Sequence, residues 1–261
     1  MDLQLNGRTA LVTGSTAGIG LAIAGRLAAE GASVLISGRD RAKLDAAAQE
    51  VSGKGEVRAV LADAGTAEGC AELIAAQPDV DILVNNLGIY EAKPFAEISD
   101  ADWLRFFEIN VLSGVRLARH YFPRMLERKQ GRIIFIASES GVVIPGEMIH
   151  YGTTKTAQLA IARGLAEQTR GTGVTVNSVM PGPTRSEGIV EFIRSTVGDS
   201  QASPAELEAE FFAKMRPLSL IRRLIEADEI AATVAFLASP LAAATNGAAI
   251  RAEGGIVPTI A

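Results

Sequence analysis

The chain has 261 residues, 48% of them hydrophobic, with 30 Asp and Glu against 25 Lys and Arg for a formal net charge of -5. It shows neither a basic stripe nor a polyacidic tail, which argues against nucleic acid or an anionic membrane as the main partner. The single Cys70 rules out an intrachain disulfide, and the lack of any Cys/His cluster argues against a metal site.

The first seven residues contain no positively charged region leading into an apolar run, so no secretory signal is expected there. Apolar runs such as 133–137 are too short to span a bilayer, and the expected location is cytoplasmic. No Pro/Gly/Ser-rich linker divides the chain, so residues 1–261 are expected to form a single domain.

In chain order the apolar pattern predicts a strand over 9–13, a helix over 19–30, a strand over 33–37, a helix over 41–50 and a strand over 57–61. A helix over 67–76 and a strand over 82–84 follow. The pattern over 102–129 reads as one long helix bent at Pro123, which removes a helical N–H. A strand over 132–137, a helix over 149–168, a strand over 174–179, a helix over 227–237 and a strand over 248–251 complete the series. Apolar strands separated by helices imply an α/β fold: a doubly wound parallel sheet of about seven strands, covered on both faces. In such a sheet, ligands bind beyond the carboxyl ends of the strands.

The first of those ends carries Thr13-Gly14-Ser15-Thr16-Ala17-Gly18-Ile19-Gly20, between the first strand and the first helix. Gly14 suits a tight turn, Gly18 lets backbone approach a phosphate, and Gly20 permits close helix packing. The helix N-terminus favours a pyrophosphate, so this stretch, with Ser15, Thr16 and Ile19, is a candidate dinucleotide site on a Rossmann-like fold. At the end of the second strand, a carboxylate would hold both ribose hydroxyls of NAD. Gly38 stands there instead, followed by Arg39, whose guanidinium suits a 2'-phosphate, while Asp40 is a candidate helix cap. NADP(H) is therefore preferred, with NAD(H) possible.

Tyr151 and Lys155 are spaced to share a helix face, thirteen residues after Ser138. The Lys155 ammonium beside the phenol is expected to lower the Tyr151 pKa and make it an acid able to protonate a carbonyl oxygen. His150, its neighbour in sequence, points elsewhere and reads as a surface or packing residue.

With these motifs the chain resembles the short-chain dehydrogenase/reductase (SDR) family over essentially its whole length. The glycine motif matches 13–20, an acidic adenine contact matches Asp63, and the strand-four motif matches Asn85-Asn86-Leu87-Gly88. The catalytic asparagine, serine, tyrosine and lysine fall on Asn110, Ser138, Tyr151 and Lys155, and a Pro-Gly turn falls on Pro181-Gly182. The resemblance implies that Asn85 braces the sheet, and that Asn86, Gly88, Pro181, Gly182 and Thr184 contact the cofactor, with Ser186 a further candidate. It also implies hydride transfer between nicotinamide and a carbonyl carbon while Tyr151 protonates the oxygen, Ser138 donates a hydrogen bond to it and Lys155 holds the ribose. Asn110 would hold, through its backbone, a water linking Lys155 to solvent. Leu87 departs from the family's usual alanine: it either crowds the ribose or points into the sheet-helix interface. Glu253 stands where relatives often have aspartate.

The substrate pocket is expected between 140–148 and a lid segment, 185–216. Residues 141–146 would form an apolar wall, and Ile189, Val190, Phe192, Ile193, Phe211, Phe212 and Met215 an apolar lid, with Glu147, Glu187 and Glu191 as polar candidates. A lipophilic ketone or 3-oxoacyl thioester fits this reading better than a sugar. The leading function is NADP(H)-dependent reduction of a small-molecule carbonyl; the alternatives are an NAD-dependent secondary-alcohol dehydrogenase and a non-catalytic dinucleotide-binding regulator. The resemblance further implies a homotetramer or homodimer.

Overall fold

The computed structural model describes residues 1–197 and 202–260. Its elements are, in chain order, β1 (Thr9–Val12), α1 (Gly18–Ala29), β2 (Ser33–Gly38), α2 (Arg41–Ser52), β3 (Val57–Leu61), α3 (Ala67–Ala76) and β4 (Ile82–Asn85). Next come α4 (Asp100–Phe107), α5 (Ser113–Glu127), β5 (Gln130–Ile136), α6 (Ile149–Glu167), β6 (Gly173–Pro181), α7 (Glu187–Val197), α8 (Pro204–Lys214), α9 (Ala227–Ala238) and β7 (Ala249–Ala252). The strands form one parallel sheet in the order β3-β2-β1-β4-β5-β6-β7. Each strand of a parallel pair needs a crossover, and the intervening helices supply it. The chain winds outward from β1 in one direction and from β4 in the other, so a crevice opens above the β1/β4 pair, where Val12 stands opposite Val84.

Side chains alternate across each strand, and both faces are buried. Ala10, Val12, Val34, Ile36, Val84, Ile134 and Ile136 pack with Ile23, Leu27, Ile230 and Val234 of α1 and α9 on one face. Leu11, Leu35, Leu83, Ile133 and Phe135 pack on the other with Leu73, Leu117, Tyr121, Met125 and Ala162. Cys70 is buried in this second core, and burial raises its thiol pKa to about 11, so it packs as an inert small side chain. Asp40 caps α2 by accepting from the Lys43 N–H, as expected.

The stretch expected as one helix over 102–129 differs. It is α4 and α5 joined by a π-helical segment, Glu108–Leu112, in which Ser113 N–H reaches back to Glu108 C=O. The irregularity therefore sits at Asn110 rather than at Pro123, which α5 carries inside it. Asn110 turns wholly inward from this widened turn. Two helices unassigned by periodicity, α7 and α8, lie within the segment expected to be a lid and bury Ile193, Leu207, Phe211 and Phe212 with Leu224 in a small core of their own. A capping box of Ser203 and Glu206, with Pro204 in the first turn, starts α8. No helix among the described residues is long and apolar enough to cross a membrane.

Candidate active site

The glycine turn lies at the carboxyl end of β1. Gly14 and Gly18 have φ of +60° and +54°, conformations that a side chain disfavours. A Cβ on Gly20 would lie 2.3 Å from the Gly14 carbonyl oxygen, so α1 can approach its own turn only with glycine there. Asn86, at the end of β4, donates from Nδ2 to the carbonyls of Thr13 (2.9 Å) and Gly14 (3.0 Å), fixing the turn across the crevice. The Ser15 side chain faces inward, donating to Val12 O at 2.7 Å and accepting from Ser37 N–H at 2.9 Å. Its hydroxyl thus shapes the turn, and only its backbone is left for a ligand. Leu87 packs against the core on the α3/α5 side, the second of its two expected orientations, although it also borders the crevice. Asn85 is buried against Gly114 with no protein partner for its amide among the described residues, so any bracing is by packing rather than hydrogen bonding.

A cavity of about 820 Å³ extends from this turn across the carboxyl ends of β4, β5 and β6. Thr16, Gly18, Ile19, Gly20, Gly88, Ser138, Tyr151, Lys155, Pro181, Gly182, Thr184 and Ser186 all border it. Arg39 and Asp63 stand outside it, their charged groups 3.8 Å apart at the surface, and Asp63 also accepts from Gly65 N–H at 2.9 Å. A Cβ on Gly38 would meet Thr16 Cγ2 at 2.4 Å, so the Thr16 methyl occupies the space beside the end of β2. The narrow glycine turn, open at Gly18, and the absence of a side chain at Gly88 over Lys155 fit an extended dinucleotide.

Beyond the nucleotide end, Ser138 leaves β5 while α6 delivers Tyr151 and Lys155. Ser138 and Tyr151 border the same cavity, and Lys155 Nζ lies 5.6 Å from the Tyr151 ring centroid. Burial is the largest influence on both ionisable groups. It raises the Tyr151 pKa, reinforced by the nearby charge of Glu139, and lowers that of Lys155 to about 8. The Tyr151 pKa is thus raised in the protein alone rather than lowered: desolvation of a phenolate dominates, and the influences that oppose it come from Ser138 and Arg216. His150 is fully buried between Phe106 and Trp103, a packing residue.

Asn110 is fully buried. Its Oδ1 accepts from Ile89 N–H (2.8 Å), and its Nδ2 donates to Ile89 O and Thr154 Oγ1 (both 3.0 Å). The Asn110 carbonyl, expected to hold a water, accepts from Gln158 Nε2 (2.5 Å), and Gln158 Oε1 in turn accepts from Lys155 Nζ (3.2 Å). Lys155 also donates to Ile136 O at 2.9 Å. An amide whose oxygen accepts and whose nitrogen donates ties the two residues together but does not pass a proton as a hydroxyl or water would.

The substrate end differs most from expectation. Val142 and Ile144 of the expected apolar wall are about half exposed, and a short 3-10 turn, Glu139–Gly141, brings Glu139 and Ser140 to the cavity instead. Glu139 is 4% exposed; its carboxylate accepts from Ser138 Oγ at 2.5 Å and from Ser140 Oγ at 3.2 Å. Arg216, just beyond α8, places Nε 3.4 Å from Glu139 and Nη1 3.4 Å from Glu147. Ile189, Phe192, Phe211 and Met148 supply the apolar part of the wall, with Tyr90 edge-on to both Tyr151 and Phe192. Glu191 is exposed, and the side chain of Glu187 lies outside the described residues. Glu139 was signalled only by its place at the carboxyl end of a strand; Arg216 gave no local signal.

Comparison with known proteins agrees with this geometry. The family model described as short chain dehydrogenase matches residues 8–196. The chain is 52% identical to the uncharacterized oxidoreductase YvaG of Bacillus subtilis (strain 168), covering all of both chains. It is 31% identical to the 3-oxoacyl-[acyl-carrier-protein] reductase FabG of Aquifex aeolicus (strain VF5), over 98% of this chain and 100% of that one. It also superposes on L-sorbose reductase from Gluconobacter frateurii, solved with NADPH and L-sorbose, with a TM-score of 0.92, 30% identity and full coverage of both chains. A nicotinamide-dependent oxidoreductase acting between a carbonyl and an alcohol is what these relatives and this cleft have in common, and the chain belongs to the short-chain dehydrogenase family.

Proposed function

We propose that the protein interconverts a small-molecule ketone and its secondary alcohol with NADP(H), and that Tyr151 is its proton donor and acceptor. The observation that carries this reading is the convergence of Ser138, Tyr151 and Lys155 on one cavity wall beside the glycine turn. The dinucleotide supplies or takes up the hydride. Tyr151 moves a proton at the substrate oxygen, Ser138 donates to that oxygen as charge develops, and Lys155 holds the ribose and, through its charge, opposes the burial that keeps the phenol protonated. Asn110 holds Ile89 and, through Gln158, positions Lys155. Gly14, Thr16, Gly18, Ile19, Gly20, Asn86, Gly88, Pro181, Gly182 and Thr184 form the cofactor contacts, with Arg39 and Asp63 at the adenosine end.

Arg39 supports NADP(H), and the NADPH held by the sorbose reductase points the same way. The Asp63 carboxylate near Arg39 offsets part of its charge, which favours a measurable activity with NAD(H) as the second reading. Residues 185–216 act as a lid, and Ile189, Phe192 and Phe211 favour a carbonyl substrate with one apolar flank. A cytoplasmic homotetramer or homodimer, as is usual for the family, completes the reading. The test is the initial rate of NADPH oxidation, with NADH alongside, over acetoacetyl thioester and a panel of ketones, in wild type and Tyr151→Phe. Turnover faster with NADPH and reduced at least a thousandfold by Tyr151→Phe is expected; equal rates in the two proteins would overturn the mechanism.

A further inference from the structure

Ser138 has one hydroxyl proton, and in this structure it is committed to a buried carboxylate. The Glu139 oxygen Oε2 accepts it at 2.5 Å, while the other oxygen, Oε1, already faces Ser140 Oγ and Arg216 Nε. The Ser140 N–H donates to Ser138 Oγ at 3.1 Å, which holds the hydroxyl oxygen in place and leaves the direction of its proton as the only freedom. For Ser138 to donate to a substrate carbonyl, that proton must leave Oε2. A ketone oxygen only accepts, so it cannot give the carboxylate a replacement donor, and a charged oxygen is then left unsatisfied inside the protein.

We propose that Glu139, braced by Arg216, is a specificity determinant that selects substrates bearing a hydroxyl on the carbon next to the reacting carbonyl. This inference rests on the carbonyl-reductase reading above. Such a hydroxyl donates to Oε2 as Ser138 turns its proton to the carbonyl, so donors and acceptors stay matched through the exchange. Glu139 borders the cavity and is adjacent in sequence to Ser138, which puts its carboxylate where a group one carbon from the carbonyl can reach it. Arg216 has its own contacts to Glu147 and the Met215 carbonyl and lies over the Phe211 ring, so its position does not depend on the substrate. Simple ketones, ethers and 3-oxoacyl thioesters bring no donor to this point, and a site built to pair with a hydroxyl discriminates strongly against analogues that lack it.

The experiment compares kcat/KM for hydroxyacetone, butanone and methoxyacetone with saturating NADPH, repeated with NADH. Butanone replaces the hydroxyl with a methyl of similar size, and methoxyacetone keeps the electron-withdrawing oxygen but loses the donor. Wild type is expected to favour hydroxyacetone over both by at least about tenfold, since the donor meets a charged acceptor. Glu139→Gln, which keeps the shape but loses the charge, is expected to cut that preference several-fold, and Arg216→Met to weaken it as well. A wild-type preference under about twofold over methoxyacetone, or an unchanged ratio in a folded Glu139→Gln, would overturn the proposal while leaving the carbonyl-reductase reading in place. Should Glu139→Gln not fold, the wild-type ratios and Arg216→Met decide. Absence of turnover on all three compounds and on the wider ketone and thioester panel, with either dinucleotide, would overturn the carbonyl-reductase reading and this inference with it.

Discussion

Replacing Lys155 with Met should make the protein more stable at neutral pH while abolishing its turnover. Lys155 is 4% exposed and its pKa is lowered from 10.5 to about 8, because burial opposes the charged ammonium more than the Glu139 charge supports it. A lysine that titrates lower in the folded chain than in the unfolded one is held charged at a cost below its folded pKa. That cost is present in full below about pH 7 and fades as pH rises toward 10.5, because the unfolded chain binds the proton more readily throughout this interval. The gap corresponds to about 3 kcal/mol at neutral pH, of which about 2 kcal/mol disappears between pH 7 and 9.5. Met fills a similar volume without charge, so the stability of the variant relative to wild type should fall over this range. In a chain of this size, that difference is a relative shift in Tm of about 4–8 °C. Thermal unfolding of both proteins in parallel at pH 7, 8, 8.5 and 9.5, without dinucleotide, measures it; taking the difference cancels titrations common to both. A Tm difference that does not change with pH would refute the reasoning, since the lost bonds to Ile136 and Gln158 contribute a nearly constant term while only the ammonium contributes a pH-dependent one.

Three further outcomes are expected. Gln158→Met removes an acceptor that favours charged Lys155, so the lysine should lose its proton below pH 8; the alkaline limb of the kcat/KM profile should move to lower pH, read from rates between pH 6 and 10. Arg39→Gln should raise KM for NADPH about tenfold or more, by loss of a charged contact to phosphate, and change KM for NADH by less than about twofold, as measured by steady-state kinetics. Gly18→Ala should destabilise by about 1 kcal/mol through its positive φ, since an added Cβ meets only Ser186 Cβ at 3.6 Å, whereas Gly20→Ala must drive Gly14 and Asn86 apart and should cost more in both dinucleotide affinity and Tm. Isothermal titration and thermal unfolding on the two variants separate backbone strain from collision.

The sheet was legible because its signal is local. A strand such as β1 or β4 must be apolar at every position when both faces are covered, and the turns between strand and helix carry glycines whose backbone angles a side chain disfavours. The boundaries of β3 and α3 follow from the sequence without change for this reason. Over 102–129 periodicity was silent on the essential point: a π-turn inserts one residue into a helix without disturbing the apolar pattern on either side, and proline, the visible helix breaker, sits within α5. Helices α7 and α8 were hidden for a different reason. They bury apolar residues against each other rather than against the sheet, although the Ser203-Pro204-Ala205-Glu206 start of α8 is itself a readable cap.

The candidate catalytic group was legible to the extent that its residues lie within one turn of one helix. Tyr151 and Lys155 declare themselves by spacing, but the balance of charge around them depends on residues that meet only in three dimensions. Burial, which no spacing records, turns the Tyr151 pKa opposite to the direction expected from its neighbour. Arg216 reaches Glu139 from just beyond α8, and Gln158 joins Lys155 to the π-turn from the next turn of α6. Of the apolar residues expected at the cavity, Ile189, Phe192 and Phe211 border it, yet the same cavity carries a buried carboxylate bonded to Ser138. A lipophilic wall and a charged one side by side fit the substrate proposed above, with an apolar end and a polar one next to the carbonyl.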